Sequence, residues 1–268
     1  MPAKRSSGAG RRRPRRRRKV IRVRIGAVSA VAAAGILLLA LVPLFRSRGD
    51  GRTGARVPPG PWRYGIDISH NNAGPIVWDS LWVMTDRHRR TVRDPYKAKE
   101  IKPVSFVFIK ATEGATFRDR DFARNWKDAG RTDLRRGAYH FFRSSRDGEL
   151  QAAFFIETVG ELRFRDLPPV LDIETVHPGC SRETLNERAL QWLRTVGKHY
   201  GRTPVVYTGD SFLQDWLDEE ITAHYPIWIA RYGRRRPDFE GWRFWQCTDR
   251  AVVSGIPEPV DLNVMPAE

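Results

Sequence analysis

"PPVLDIETVH", residues 168–177, is a short apolar run that ends in acids. Val170, Leu171 and Ile173 read as a buried strand, with Asp172 and Glu174 two positions apart at its end. In a strand, residues i and i+2 point to the same side, about 6–7 Å apart along the backbone. Two carboxylates on one face repel each other, and partial burial raises the pKa of at least one. Such an arrangement is unfavourable unless something is gained, and what these acids face depends on the fold.

Seven further β-rich runs flank this one: "YGIDIS" (64–69), "SFVFIKAT" (105–112), "RGAYHFF" (136–142), "TPVVYTG" (203–209), "PIWIARY" (226–232), "RFWQCT" (243–248) and "PVDLNVM" (259–265). Helix-like segments fall between the early runs, at 119–130, 149–160 and 181–201. In the last of these, Leu185, Ala189, Trp192, Leu193 and Val196 form a helical stripe, and Ser181 followed by Glu183 suits a helix start. Strands alternating with helices imply parallel βαβ units. The later connections are too short for full helices. The expectation is therefore an α/β fold, an irregular TIM-type (β/α)5(β)3 barrel of five βα units followed by three strands. An open doubly wound sheet is the rival, but no Gly-rich phosphate loop follows the first strand.

In a TIM-type barrel the functional site lies at the C-terminal ends of the strands. Acids and polar groups collect there: Asp67 in the first run, Glu113 after the second, His140 in the third, Asp172 and Glu174 at the fourth, and Asp261 in the eighth. Carboxylates whose proton affinities differ satisfy the requirement for cleaving a glycosidic bond. One protonates the leaving oxygen, and another stabilises or attacks the sugar carbon. Ordinary strand-end salt bridges are the bland alternative. A metal site is another, although no H-x-H or D-x-H spacing supports it. No metal and no cofactor is expected.

The net charge of +16 is unevenly distributed. Residues 1–24 hold twelve Lys and Arg and no acid, which leaves only +4 for the rest. Residues 25–45, "IGAVSAVAAAGILLLALVPLF", are a run of 21 uncharged and mostly apolar residues, about 30 Å long as a helix. The chain thus divides into a basic cytoplasmic tail (1–24), a transmembrane signal anchor (25–45), a flexible Gly/Pro/Arg linker (46–62) and a barrel domain (63–268). The charge asymmetry puts the N-terminus in the cytoplasm and the barrel outside, in periplasm or cell wall. Cleavage of the apolar segment would instead make the protein secreted. Anionic membrane lipid is the expected partner of the tail, and nucleic acid is not. Whether Cys180 and Cys247 pair is left open.

The runs also carry a resemblance. "YGIDISHNNAGPIVW", "FVFIKATEG", "GAYHFF", "PVLDIE", "WIARY", "FWQCT" and "VDLNVM" resemble, in order, the motifs of the glycoside hydrolase family 25 lysozymes, the Chalaropsis-type N-acetylmuramidases. The resemblance spans about residues 64–265. It implies cleavage of the β-1,4 bond between N-acetylmuramic acid and N-acetylglucosamine in peptidoglycan glycan strands. It also implies that Glu174 is the general acid and Asp172 its neighbour acting on the acetamido group or the sugar carbon, with Asp67 and Asp261 supporting the pair. Tyr139, Tyr207, Trp228, Tyr232, Trp245, Gln246 and His140 are the expected substrate-binding residues, and Lys110 with Glu113 an ion pair beside the site. The segment 79–103 is longer and more charged than the helix usual in that position, and is expected to reshape a wall of the groove. A non-catalytic glycan-binding module on the same barrel is the alternative, as are a peptidoglycan amidase and a scaffold.

Overall fold

The computed structural model describes residues 53–72, 74–233 and 235–267. The expected tail (1–24), membrane helix (25–45) and first seven residues of the expected linker (46–52) lie outside the described residues. Among those described, no helix is long and apolar enough to cross a membrane.

Eight strands close into a barrel: β1 (Trp62–Ile68), β2 (Glu100–Glu113), β3 (Arg135–Phe141), β4 (Val170–Asp172), β5 (Val205–Gly209), β6 (Ile227–Ala230), β7 (Trp242–Ala251) and β8 (Val260–Pro266). Each falls on one of the eight runs read from the sequence. Neighbours from β1 to β7 pair in parallel. The last strand is reversed: β8 is antiparallel to both β7 and β1, and it closes the ring. Helices α1 (Phe122–Ala129), α2 (Gly148–Val159) and α3 (Arg182–Tyr200) follow β2, β3 and β4. Two short helices, α4 (Asp210–Trp216) and α5 (Glu219–His224), follow β5.

The expected first βα unit is not formed. Among the described residues no α-helix joins β1 to β2; a hairpin of Trp82–Thr85 and Arg90–Val92 takes its place. The Asp86 carboxylate accepts from the backbone N–H of His88 and of Arg90, both at 2.8 Å, and Arg89 adopts a left-handed φ of 59°. An acid that satisfies the backbone two residues on nucleates a turn rather than a helix. The hairpin pairs with Glu100–Pro103, the opposite end of β2 from Glu113, so it does not form a wall of the groove. Part of the segment expected to be linker (46–62) is structured. Thr53–Arg56 is a strand paired with the hairpin, and Val57 is buried.

Alternation along the strands sorts side chains into two layers. Phe106, Phe108, Val170, Tyr207, Trp228 and Phe244 pack inside the barrel. Val107, Ile109, Leu171, Val206 and Ile229 face outward into the layer beneath the helices. Glycines make room for the inner aromatics. A Cβ on Gly65 would lie 2.1 Å from the Phe106 ring, and one on Gly137 would lie 2.6 Å from the Phe108 ring. The α3 stripe of Leu185, Ala189, Trp192, Leu193 and Val196 is fully buried against this layer. At about 25 cal/mol per Å² such a face stabilises the helix far more than its own propensity does. Ser181 caps it, accepting from Thr184 N–H, and Gly201 ends it in a left-handed conformation.

Candidate active site

The parallel strands carry Asp67, Lys110, Glu113, Tyr139, Asp172, Tyr207 and Gln246 at or near their C-terminal ends. Reversal of β8 brings its beginning to the same rim, so Asp261 stands directly opposite Asp67 in the β1–β8 register. Backbone bonds fix the fourth-strand pair. Asp172 O accepts from Phe142 N–H at 2.8 Å, and Ile173 N–H donates to Tyr207 O at 2.9 Å, which presents Glu174 just beyond the strand.

Asp67 is buried in the mouth and held through one oxygen. Its Oδ2 accepts from Asn263 Nδ2 at 2.8 Å and from Gln246 Nε2 at 3.0 Å. Gln246 is itself oriented, because its Oε1 accepts from the hydroxyls of Tyr207 and Tyr232, each at 2.9 Å. Trp228 Nε1 donates to Asn263 Oδ1 at 2.8 Å and turns the amide group toward Asp67. Burial pushes Asp67 up to about 6, while the bonds from Asn263, Gln246 and Asp261 hold it from rising further. Asp261 is pushed up to about 9, by burial first and then by the charge of Asp67. Both effects favour the protonated form of Asp261.

The second pair is open. Asp172 is only 6% exposed, and its Oδ1 has no hydrogen-bond partner among the described residues. Burial and then the neighbouring Glu174 push it well above the usual carboxylate range. Glu174, at the exposed lip, is also raised, by desolvation of its inner side and by Asp67, against a lowering from Lys110. A buried acceptor without a donor costs roughly 1–3 kcal/mol. This one faces the mouth, where a bound molecule would supply the missing N–H or O–H.

Of the expected aromatic contacts, Tyr139 sits among the acids. Burial and the charges of Asp67, Asp172 and Asp261 raise its hydroxyl pKa well above 10. Tyr232 is 55% exposed at the rim and offers a flat apolar face. Tyr207 and Trp228 lie deeper, their rings 4.5 Å apart, and Trp228 stacks on Phe108 at 4.4 Å as part of the barrel interior.

Two residues lie elsewhere. His140 is fully buried on the outer side of β3, bonded to Thr112 Oγ1 at 2.7 Å and Gln151 Oε1 at 3.2 Å and stacked on Trp192. Burial depresses its pKa to about 3, so it is neutral at any working pH. Trp245 also faces outward, fully buried beside Trp62 and Trp242, with Nε1 donating to Arg231 O at 2.7 Å. Neither reaches the mouth, because each directly follows an inward-facing neighbour on its strand or precedes one.

The ion pair of Lys110 and Glu113 forms at 2.7 Å, with the ammonium 4.9 Å above the Phe141 ring. Partial burial pushes Glu113 upward, but Lys110 and Arg143 outweigh it and hold the carboxyl below its ordinary value. Both cysteines are free thiols, and burial raises that of Cys247 to about 12. Asn263 is the residue that the sequence reading missed. It shares a strand face with Asp261, and that spacing was its signal.

A closed eight-strand barrel with a rim of carboxylates of unequal proton affinity is an arrangement suited to cleaving a glycosidic bond. The comparisons with known proteins agree. The model of glycosyl hydrolases family 25 matches residues 66–256. The uncharacterized protein YegX of Escherichia coli (strain K12) is 39% identical over 211 residues, 78% of this chain and 71% of that one. The bacterial lysozyme of Streptomyces coelicolor is 30% identical with a TM-score of 0.64, covering 77% of this chain and 93% of that chain. A family 25 glycosyl hydrolase from Bacillus anthracis is 28% identical with a TM-score of 0.66, covering 83% and 96%. The chain belongs to glycosyl hydrolases family 25, and it is a glycoside hydrolase. Asp261 and Asn263 lie beyond the matched stretch, and the register of β8 brings them to the mouth.

Proposed function

We propose that the enzyme is a lysozyme that cuts the β-1,4 bond between N-acetylmuramic acid and N-acetylglucosamine in peptidoglycan. Glu174 protonates the leaving oxygen. Asp172 acts beside it, on the acetamido group or the sugar carbon. The observation that carries this reading is the orphaned Asp172 Oδ1 next to Glu174. The acetamido N–H of a bound sugar is the donor that it lacks. Accepting that bond favours ionised Asp172 and leaves the shared proton on Glu174, where acid catalysis needs it. Asp67 and Asp261 set the field beneath the pair, and Tyr139, Tyr232, Tyr207 and Gln246 shape the sugar site. Support for the substrate comes from the family and from similarity to proteins named lysozyme, including Lysozyme M1 of Streptomyces globisporus.

The same reading places the barrel outside the cytoplasmic membrane, on an anchor formed by residues 25–45. Its support is the sequence: 21 uncharged residues after a segment with twelve basic residues and no acid. An anchored enzyme would work on the wall adjoining its own membrane. Mass spectrometry of products from purified peptidoglycan tests the bond. Muramic acid at the new reducing ends supports the proposal, and glucosamine at those ends contradicts it.

A further inference from the structure

Beside the mouth lies a second concavity, of about 570 Å³, between the chain that follows β1 and the start of α1. None of the residues assigned above lines it. His70, three residues beyond Asp67, forms the edge nearest the acids, within about 10 Å of chain. From the other side, the charge of buried Asp119 acts on Tyr139 in the mouth. Asp119 also fixes His70 rigidly. Its Oδ2 accepts from the backbone N–H of His70 at 3.0 Å and contacts the ring Nδ1 at 2.6 Å.

The wall opposite carries two arginines and two acids. Arg120 and Arg124 both line the cavity, and both lean on a single carboxylate, Asp121, at 4.0 and 3.0 Å. The other acid of the lining, Asp128, is already held by Arg131 at 3.4 Å. Arg120 makes one further contact, a 3.4 Å bond to His70 O, and its side chain is 76% exposed. Two guanidiniums against one available carboxylate leave room for another anion, which Arg binds through a planar fork of N–H groups. Trp78 supplies an apolar wall.

We infer that this concavity binds the stem peptide carried by muramic acid, with Arg120 and Arg124 receiving its free carboxylates. The inference rests on the peptidoglycan reading of the mouth. The backbone sugars of peptidoglycan are neutral, and its carboxylates project sideways from the lactyl ether of the muramic acid. A stem peptide of two to three residues reaches roughly 7–10 Å from its sugar, comparable with the three-residue step from Asp67 to the cavity edge at His70. The lactyl carboxylate alone is too close to the ring to do so. Recognition of the branch would select muramic acid over glucosamine on one side of the cut bond.

The test uses the full chain and two substrates: glycan strands with intact stem peptides, and the same strands stripped by an amidase. Wild-type enzyme is expected to favour the peptide-bearing strands about tenfold in kcat/KM. Arg120→Ala with Arg124→Ala is expected to abolish that preference by raising KM on peptide-bearing strands, while turnover of stripped strands stays within about twofold. Both side chains are surface-exposed, so their removal opens no hole in the core. Equal activity of wild type on the two substrates, or an equal change in the variant on both, overturns the inference. Inactivity of wild type on both instead overturns the peptidoglycan reading.

Discussion

Asp67 and Asp261 stand opposite each other in the antiparallel pairing of β1 and β8, close enough that the charge of Asp67 helps to raise the pKa of Asp261. The arrangement exists because the last barrel strand runs backward. Had β8 been parallel, as in a regular barrel, its second residue would lie at the opposite end from Asp67. One strand reversal thus completes an acidic rim to which both ends of the domain contribute.

The raised pKa of Asp261 has a stability signature. Asp261 carries a folded-state pKa of about 9 against an ordinary value of 3.8, so the folded state binds the proton more tightly than the unfolded chain. The resulting stabilisation is complete below about pH 4 and is lost as pH rises toward 9. Asp261→Asn keeps the size of the side chain and does not titrate. Its melting temperature should match wild type near pH 4 and exceed it by several degrees near pH 9, as read by circular dichroism across pH. A constant difference at all pH values would remove the proton from Asp261.

Asn263→Ala removes a donor to Asp67 and the acceptor of Trp228 Nε1 together. Loss of a hydrogen bond to a charged group raises its pKa by roughly one unit. The Asp67 ionisation, near 6, should therefore move upward by about that amount, carrying with it any limb of the kcat/KM profile that it sets. Stability should fall by roughly 1–3 kcal/mol from the unpaired indole. A pH–rate series on solubilised glycan strands, with thermal melts beside it, checks both.

Two aromatic substitutions should behave in opposite ways. Tyr232 stands at the rim with its ring half exposed, so Tyr232→Ala should raise KM about tenfold with little change in melting temperature. Trp245 is fully buried among Trp62 and Trp242, so Trp245→Ala should cost about 3–5 kcal/mol of stability. What remains folded should retain a near-normal KM. Steady-state kinetics and differential scanning calorimetry on the two variants separate these roles.

The eight barrel strands were legible because each is a short β-branched or aromatic run between breakers, and buried strands have few other compositions. The α3 boundaries were legible from Ser181 and from a stripe at helical spacing. The hairpin after β1 was not, because its charged stretch has no clear period and its turn depends on one carboxylate, Asp86, reaching back to the chain. The direction of β8 was available from length alone, since the eight residues between Ala251 and Val260 are too few for a parallel crossover, which needs about a dozen. Side-chain parity was available and set two expectations apart. Gln246 and Trp245 are neighbours on one strand, as are Tyr139 and His140, so only one of each pair can face the barrel axis. The polar or hydroxyl-bearing member of each pair turned inward, and the same rule applied to Asp261 identifies Asn263.

The account depends most directly on a proton held by Glu174 beside an Asp172 that awaits a donor. Glu174→Gln keeps the size of the side chain and removes the transferable proton. Measured as release of muramic acid reducing ends from purified peptidoglycan, its turnover should fall at least 1,000-fold, with the circular dichroism spectrum and melting temperature preserved. Turnover within tenfold of wild type in a folded Glu174→Gln protein would contradict the assignment of the acid, and with it this description of how the barrel cuts.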